Sequence, residues 1–167
     1  MFSKEWTPII WCKLLHPLAV LPHPAHGYHE DAGADLISVE AVSLLPGETK
    51  LIATGLSLEL PEGFEAQIRS RSGLALKGIV VANSPGTIDP GYRGEVKVIL
   101  ANRTNETYRI QPCDRIAQMV IAKYAAPEWG LTDSLLATKR GSGGFGSTGL
   151  RAPEEPILTI AVATAVA

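Results

Sequence analysis

Along the middle of the chain, apolar and polar side chains alternate with a period of two. Phe64-Glu65-Ala66-Gln67-Ile68-Arg69 alternates strictly, and Glu95-Val96-Lys97-Val98 does so before running into Ile99-Leu100. Period two sends successive side chains to opposite faces of a strand, so both segments are predicted strands with one face toward a core. Two more apolar runs, Thr49 to Ala53 and Leu56 to Leu60, flank Thr54-Gly55, and Leu60-Pro61-Glu62-Gly63-Phe64 reads as a turn between strands. The best helix candidate is short, Ser72-Gly73-Leu74-Ala75-Leu76-Lys77, with Gly78 as its stop. Trp129 to Ala137 fits a helix or a strand and loop equally. Many short strands separated by turn residues predict an all-β sandwich, jelly roll or barrel.

Composition sharpens this picture. The chain has 167 residues, which suits one domain or one domain with tails. Its 16 glycines and 12 prolines leave few windows open for a long helix. Hydrophobic residues at 46% and charged residues at 19% exclude disorder for the chain as a whole. A net charge of −2 argues against stable nucleic-acid binding, so any anion site must be local. Cys12 and Cys113 make neither a disulfide framework nor a C-x-x-C zinc pair. Lys4, Glu5 and Lys13 break up any secretory apolar run, and Ile157 to Ala167 is too short to span a bilayer as a helix. These features predict a soluble, cytoplasmic protein with no membrane partner. Near residue 139 the composition shifts, and five glycines fall within the nine residues Gly141 to Gly149. We expect a globular body over 1–138, a flexible arm over 139–149 and a tail over 150–167.

Several local patterns carry candidate chemistry, each beside a plainer alternative. Gly141, Gly143 and Gly146 spell G-x-G-x-x-G, but a dinucleotide fingerprint needs a complete βαβ unit. Ser147 rather than lysine follows the last of these glycines, so a P-loop fails too. A plain linker remains, or a mobile loop closing on a ligand: Arg140, Ser147 and Thr148 suit phosphate oxygens, and Phe145 suits a planar base. In Ser70-Arg71-Ser72-Gly73, a serine is a good N-cap, and the same geometry with Arg71 and Ser72 could hold an anion. Asp89-Pro90-Gly91 is an ordinary hairpin turn, or a pocket presenting Asp89 as a base and Tyr92 as a flat wall. His16, His23, His26 and His29 lie in an irregular stretch that reads better as an exposed loop than as a zinc site. Cys113 has no sequence-adjacent activating base and reads as structural or surface.

The order of these patterns is more specific than any one of them. A-G-A-D-L stands at Ala32 to Leu36, R-S-G-L-A at Arg71 to Ala75, and G-T-I-D-P-G-Y-R-G-E-V at Gly86 to Val96. D-R-I-A-Q follows at Asp114 to Gln118 and R-G-S-G-G-F-G-S-T-G at Arg140 to Gly149. This series resembles the five motifs of the trimeric deoxyuridine triphosphatases (dUTPases), over about residues 12–149. The resemblance implies a jelly-roll-like β-barrel, a homotrimer with shared active sites, and Mg²⁺-dependent hydrolysis of dUTP to dUMP and pyrophosphate. It departs from the family at Ser70, where proline is common, and after Gly149.

By the same resemblance, Asp89 is the expected general base and Tyr92 packs under the deoxyribose. Asn83 and the backbone of the 80–92 hairpin, Ile88 included, read the uracil edge. Pairing to that edge would reject cytosine, whose reversed donor and acceptor leave buried groups unpaired. Arg71, Ser72, Gly73 and Gln118 hold the phosphates, and Asp35 lies near Mg²⁺ through water. Phe145 stacks on the base with Gly146 beside it, while Arg140, Ser147 and Thr148 clasp the γ-phosphate. Two alternatives stand beside this reading. A dCTP deaminase, possibly bifunctional, would need a proton-moving glutamate, and none lies between Val80 and Tyr92. A non-catalytic dUTP-binding regulator would not need Asp89.

Overall fold

The computed structural model describes residues 7–24 and 31–147. His26, His29, Thr148 and the 150–167 tail lie outside the described residues. Contacts divide the chain into two units, Met1–Pro127 and Glu128–Ala167. The boundary expected at 138–139 falls inside the second unit.

The first unit carries the strands, and their pairings are all antiparallel. A four-stranded sheet contains β1 (Trp11–Leu14), β5 (Thr49–Glu59), β9 (Glu95–Asn102) and β7 (Ile79–Val81), in that order. A five-stranded sheet runs β2 (His23–Pro24), β3 (Ala34–Ile37), β11 (Arg115–Lys123), β6 (Phe64–Arg69), β8 (Gly86–Ile88). A third ladder joins β4 (Val42–Leu44) to β10 (Tyr108–Ile110). The all-β expectation holds. The ladders stay separate among the described residues rather than closing into one hydrogen-bonded barrel.

Period two explains the layers. On β6, Phe64, Ala66 and Ile68 are buried, while Glu65, Gln67 and Arg69 take the other face. On β9, Val96, Val98, Leu100 and Asn102 are buried. Ala66, Ile68, Val96, Val98 and Leu100 join Leu36, Leu44, Ile52, Ile79, Ile110 and Ile116 in one core filled from all three sheets. Each such fully buried Leu or Ile contributes about 1.5–3 kcal/mol. Asn102 is buried yet satisfied. Its Nδ2 donates to the carbonyls of Leu44 (2.9 Å) and Glu106 (2.7 Å), and its Oδ1 accepts from the Thr104 amide (3.0 Å).

The two runs around Thr54-Gly55 are one strand. β5 continues through them, and a bulge shifts its register against β9 between Ala53 and Leu56. Gly55 sits at φ +67°, and its amide donates to Glu95 Oε1 at 2.9 Å. The short helix α1 (Ser72–Ala75) forms, with Gly78 at φ +80° after it. The serine cap does not form. Arg71 is the N-cap residue and its guanidinium has no acceptor for the helix amides, while Ser70 Oγ accepts from the Val81 amide at 2.8 Å.

Candidate active site

Two clefts on the first unit gather most of the motif residues. The first has a volume of about 640 Å³ and is lined by Asp35, Arg71, Ser72, Gly73, Leu74, Lys77, Arg115 and Gln118. Strand pairing builds it. β11 lies between β3 and β6, so Gln118 stands opposite Asp35 on one side and Arg69 on the other. The chain leaves β6 at Arg69 and enters α1 three residues later, which brings Arg71 and Ser72 to the same rim.

Asp35 is the centre of this cleft, with its side chain only 10% exposed. Its Oδ1 accepts from Arg71 Nε at 2.8 Å, and its Oδ2 from an Arg115 guanidinium nitrogen at 3.1 Å. Arg71 also donates to the Arg115 carbonyl at 3.0 Å. One carboxylate therefore faces two guanidinium groups, with Lys77 beside them, and the cleft keeps a surplus of positive charge for an anionic ligand. Gln118 Nε2 donates to the Ser70 carbonyl at 2.9 Å. Gly33 in A-G-A-D-L packs against the Gln118 side-chain amide, and a Cβ there would press on Gln118 Oε1.

The second cleft has a volume of about 570 Å³ and is lined by Leu51, Thr87, Ile88, Asp89, Tyr92, Glu95, Lys97 and Ile99. Asp89 is exposed at its mouth. The Asp89-to-Tyr92 turn is closed by the Tyr92 amide donating to the Asp89 carbonyl at 3.1 Å. Tyr92 donates its hydroxyl to the Glu95 carbonyl at 3.0 Å. Its ring crosses Gly94 so closely that a Cβ there would lie 2.6 Å from Tyr92 Cζ.

The 80–92 segment is not the paired hairpin expected from the sequence. β7 pairs with β9 and β8 pairs with β6, so the segment crosses from one sheet to the other. β7 and β8 are edge strands of different sheets, each paired to a strand distant from the other in sequence. Asn83 sits exposed in the crossover, before the cis Ser84–Pro85 peptide, and lines neither cleft. A Cβ on Gly86 would lie 2.9 Å from Asn83 Nδ2.

The structure thus brings Asp35, Arg71, Ser72, Gly73 and Gln118 together, and separately Ile88, Asp89 and Tyr92; the two clefts share no lining residue. Arg115 and Lys77 were given no role by the motifs. Arg115 was findable from its place in D-R-I-A-Q, but nothing in the sequence marks Lys77 beyond the end of a short helix. In the second unit, Arg140 Nε donates to the Gly143 carbonyl at 2.9 Å and the Gly143 amide to the Arg140 carbonyl at 3.0 Å. Phe145 is fully exposed there at φ +50°, and Gly146 and Ser147 follow it in a turn.

Among the described residues no cluster of three or more His, Cys, Asp or Glu could cage a metal. His23 pairs along β3, and His16 Nδ1 accepts from the Leu18 amide at 3.1 Å. Asp35 has both oxygens on arginines. That donor set fits Mg²⁺ held mainly by phosphate oxygens and water. Cys113 is exposed at φ +72°, while partial burial pushes the Cys12 thiol pKa up. No helix among the described residues is long and apolar enough to cross a membrane.

Stacked antiparallel ladders with a cationic cleft on one rim define an all-β protein built to receive an anionic ligand. The family model for dUTPase matches residues 20–149, and the chain belongs to that family. It is 58% identical over 135 residues to the deoxyuridine 5'-triphosphate nucleotidohydrolase of Solibacter usitatus, covering 80% of this chain and 91% of that protein. It is also similar to the dUTPase of Staphylococcus bacteriophage 80alpha solved with dUPNHPP. There the TM-score is 0.79 at 30% identity, covering 86% of this chain and all of the other. A mutant dUTPase from phage phi11 of S. aureus matches with a TM-score of 0.71 at 28% identity, over 77% of this chain and 99% of that one. That structure is described with a structural Mg(II) ion.

Proposed function

We propose that this protein hydrolyses dUTP to dUMP and pyrophosphate, limiting uracil in DNA and supplying dUMP for dTMP synthesis. The observation that carries the reading is the cationic cleft around Asp35, Arg71 and Arg115, in a chain whose family relatives include a dUTPase solved with dUPNHPP. Arg71, Ser72, Gly73 and Gln118 bind the phosphates. Asp89, exposed at the mouth of its cleft, accepts a proton from the water that attacks the α-phosphorus. Tyr92, fixed by its bond to the Glu95 carbonyl, forms the wall under the sugar and leaves no space for a 2′-hydroxyl. Asn83 and the backbone near Ile88 read the uracil edge. Arg140, Ser147 and Thr148 clasp the γ-phosphate, and Phe145, flanked by Gly146, stacks on the base and excludes bulk water.

Mg²⁺, when bound, supplies charge neutralisation on the phosphates. Asp35 orients water toward it, and Arg71 and Arg115 hold that carboxylate in place. The division of the motif residues between two clefts with no lining residue in common supports a homotrimer with shared sites. A cytoplasmic setting suits this reaction.

The test is nucleotide turnover. Purified protein with Mg²⁺ is incubated separately with dUTP, dCTP, dTTP and UTP, and the products are separated by chromatography. Rapid dUMP and pyrophosphate from dUTP alone is the expected result. Deaminated product from dCTP would move the protein to the deaminase branch. Binding of dUTP without any product would make it a regulator.

A further inference from the structure

The turn that presents Asp89 and Tyr92 has no ladder of its own. β8 ends at Ile88 in the five-stranded sheet, and β9 begins at Glu95 in the four-stranded one. Residues 89–94 therefore cross between sheets, closed by one backbone bond at 3.1 Å from the Tyr92 amide to the Asp89 carbonyl. The tip is bare, since a Cβ on Gly91 would meet nothing within 4 Å. A catalytic base on so loosely tied a turn needs another restraint.

We propose that Arg93 is a positioning residue, clamping this turn so that Asp89 and Tyr92 meet the nucleotide in a fixed geometry. One guanidinium nitrogen of Arg93 donates both to the Pro90 carbonyl and to the Tyr92 carbonyl, the latter at 3.1 Å. The other terminal nitrogen lies 4.0 Å from Glu59 Oε1. The Arg93 carbonyl in turn accepts from Ser57 Oγ at 2.8 Å, and Ser57 is buried on β5. The Arg93 side chain thus closes the turn on itself, while its backbone carbonyl ties the turn to a strand anchored in the core. Arg93 does not line the cleft of Asp89; it lines a separate one with Trp11, Cys12, Lys13 and Ser57. Its influence on the reaction passes through the turn.

The chemistry explains why arginine suits the position. A planar guanidinium presents several N–H donors at fixed angles and can hold two carbonyls at once, whereas a lysine ammonium is a point charge on a flexible stem. Gly94 also constrains Tyr92, because a Cβ there would lie 2.6 Å from Tyr92 Cζ. Between them the aromatic wall has one seat. Misplacing a reacting group by about 1 Å can cost on the order of 100-fold in rate.

The inference rests on the reading that Asp89 and Tyr92 act on dUTP, and its test separates the two. Wild type, Arg93→Ala, Arg93→Lys and Ser57→Ala are compared for kcat and KM on dUTP and on UTP. Hydrogen exchange at the Tyr92 amide is followed in parallel. For Arg93→Ala we expect kcat on dUTP to fall by about 10- to 100-fold, with a smaller change in KM. The preference for dUTP over UTP should narrow and the Tyr92 amide should exchange faster. Arg93→Lys should recover part of each loss, and Ser57→Ala should show a milder form of the same pattern. The lysine and Ser57 variants carry the test if the alanine variant does not fold. An active wild type with unchanged rate, selectivity and exchange in the variants overturns this inference alone. A wild type that hydrolyses neither nucleotide overturns the functional reading and this inference with it.

Discussion

Asp89 and Asp35 show how the same side chain takes different roles in different surroundings. Asp35 is nearly buried, and each of its oxygens faces a guanidinium, so it is committed to holding Arg71 and Arg115. Asp89 is exposed at a turn, where a water can reach it. The proposed base belongs to the second kind of site. Asp89→Asn keeps the shape and removes the proton acceptor. We expect turnover of dUTP to drop by about 10²- to 10⁴-fold. Affinity for a non-hydrolysable dUTP analogue, measured by calorimetry, should stay within a few-fold. An Asn variant turning over at the wild-type rate would remove Asp89 from the mechanism.

At the scale of elements, the bulge in β5 matters most. Sequence suggests a break at Thr54-Gly55, and the structure turns the break into a local kink in a continuous strand. Thr54 Oγ1 bonds the Val96 carbonyl, and the Gly55 carbonyl accepts from the Leu15 amide at 2.7 Å, so both neighbours of the strand are stitched to it. Gly55 has the left-handed conformation that side chains resist, and an added Cβ would lie 2.8 Å from His16 Cβ and 2.9 Å from Ala19 Cβ. We expect Gly55→Ala to destabilise the fold by about 2–4 kcal/mol, combining backbone strain with overpacking. Urea unfolding would report it as a lower midpoint at unchanged slope. A midpoint equal to wild type would mean that the 14–20 loop yields freely.

For the molecule as a whole, the division of motif residues between two clefts makes a sharp demand. If each site takes its phosphate cleft from one copy and its Asp89 cleft from another, two inactive variants should rescue each other. Asp89→Asn and Arg71→Ala chains, inactive alone, should recover a measurable fraction of wild-type turnover when refolded together. Failure of the mixture, with mixed assemblies present by mass spectrometry, would place each site within one chain. Truncation after Lys139 tests the second unit. The shortened protein should stay folded by circular dichroism and lose most of its turnover, because Arg140 to Thr148 no longer reach the nucleotide. Full activity in that truncation would leave the glycine-rich segment as a plain linker.

Much of this protein is legible in its residues taken in order. Alternation at Phe64–Arg69 and Glu95–Leu100 marks strands because a pleated chain sends neighbours to opposite faces, and Gly78 marks the end of α1 because it accepts a positive φ. The spacing of motifs, from Asp35 to Phe145, identifies the family because each motif is a local pattern. Tertiary structure decided what local patterns do not encode. β11 alternates poorly, with a register irregularity against β3 between Arg115 and Ala117, yet it is the strand that sets Gln118 beside Asp35. The 80–92 segment looks like a hairpin along the chain, but its two ends find better partners in different sheets. Ser70 stands just before α1, yet its Oγ accepts from the Val81 amide. In each case the deciding hydrogen bond joins residues distant in sequence or competing for one partner. Only the folded chain brings both to the same place.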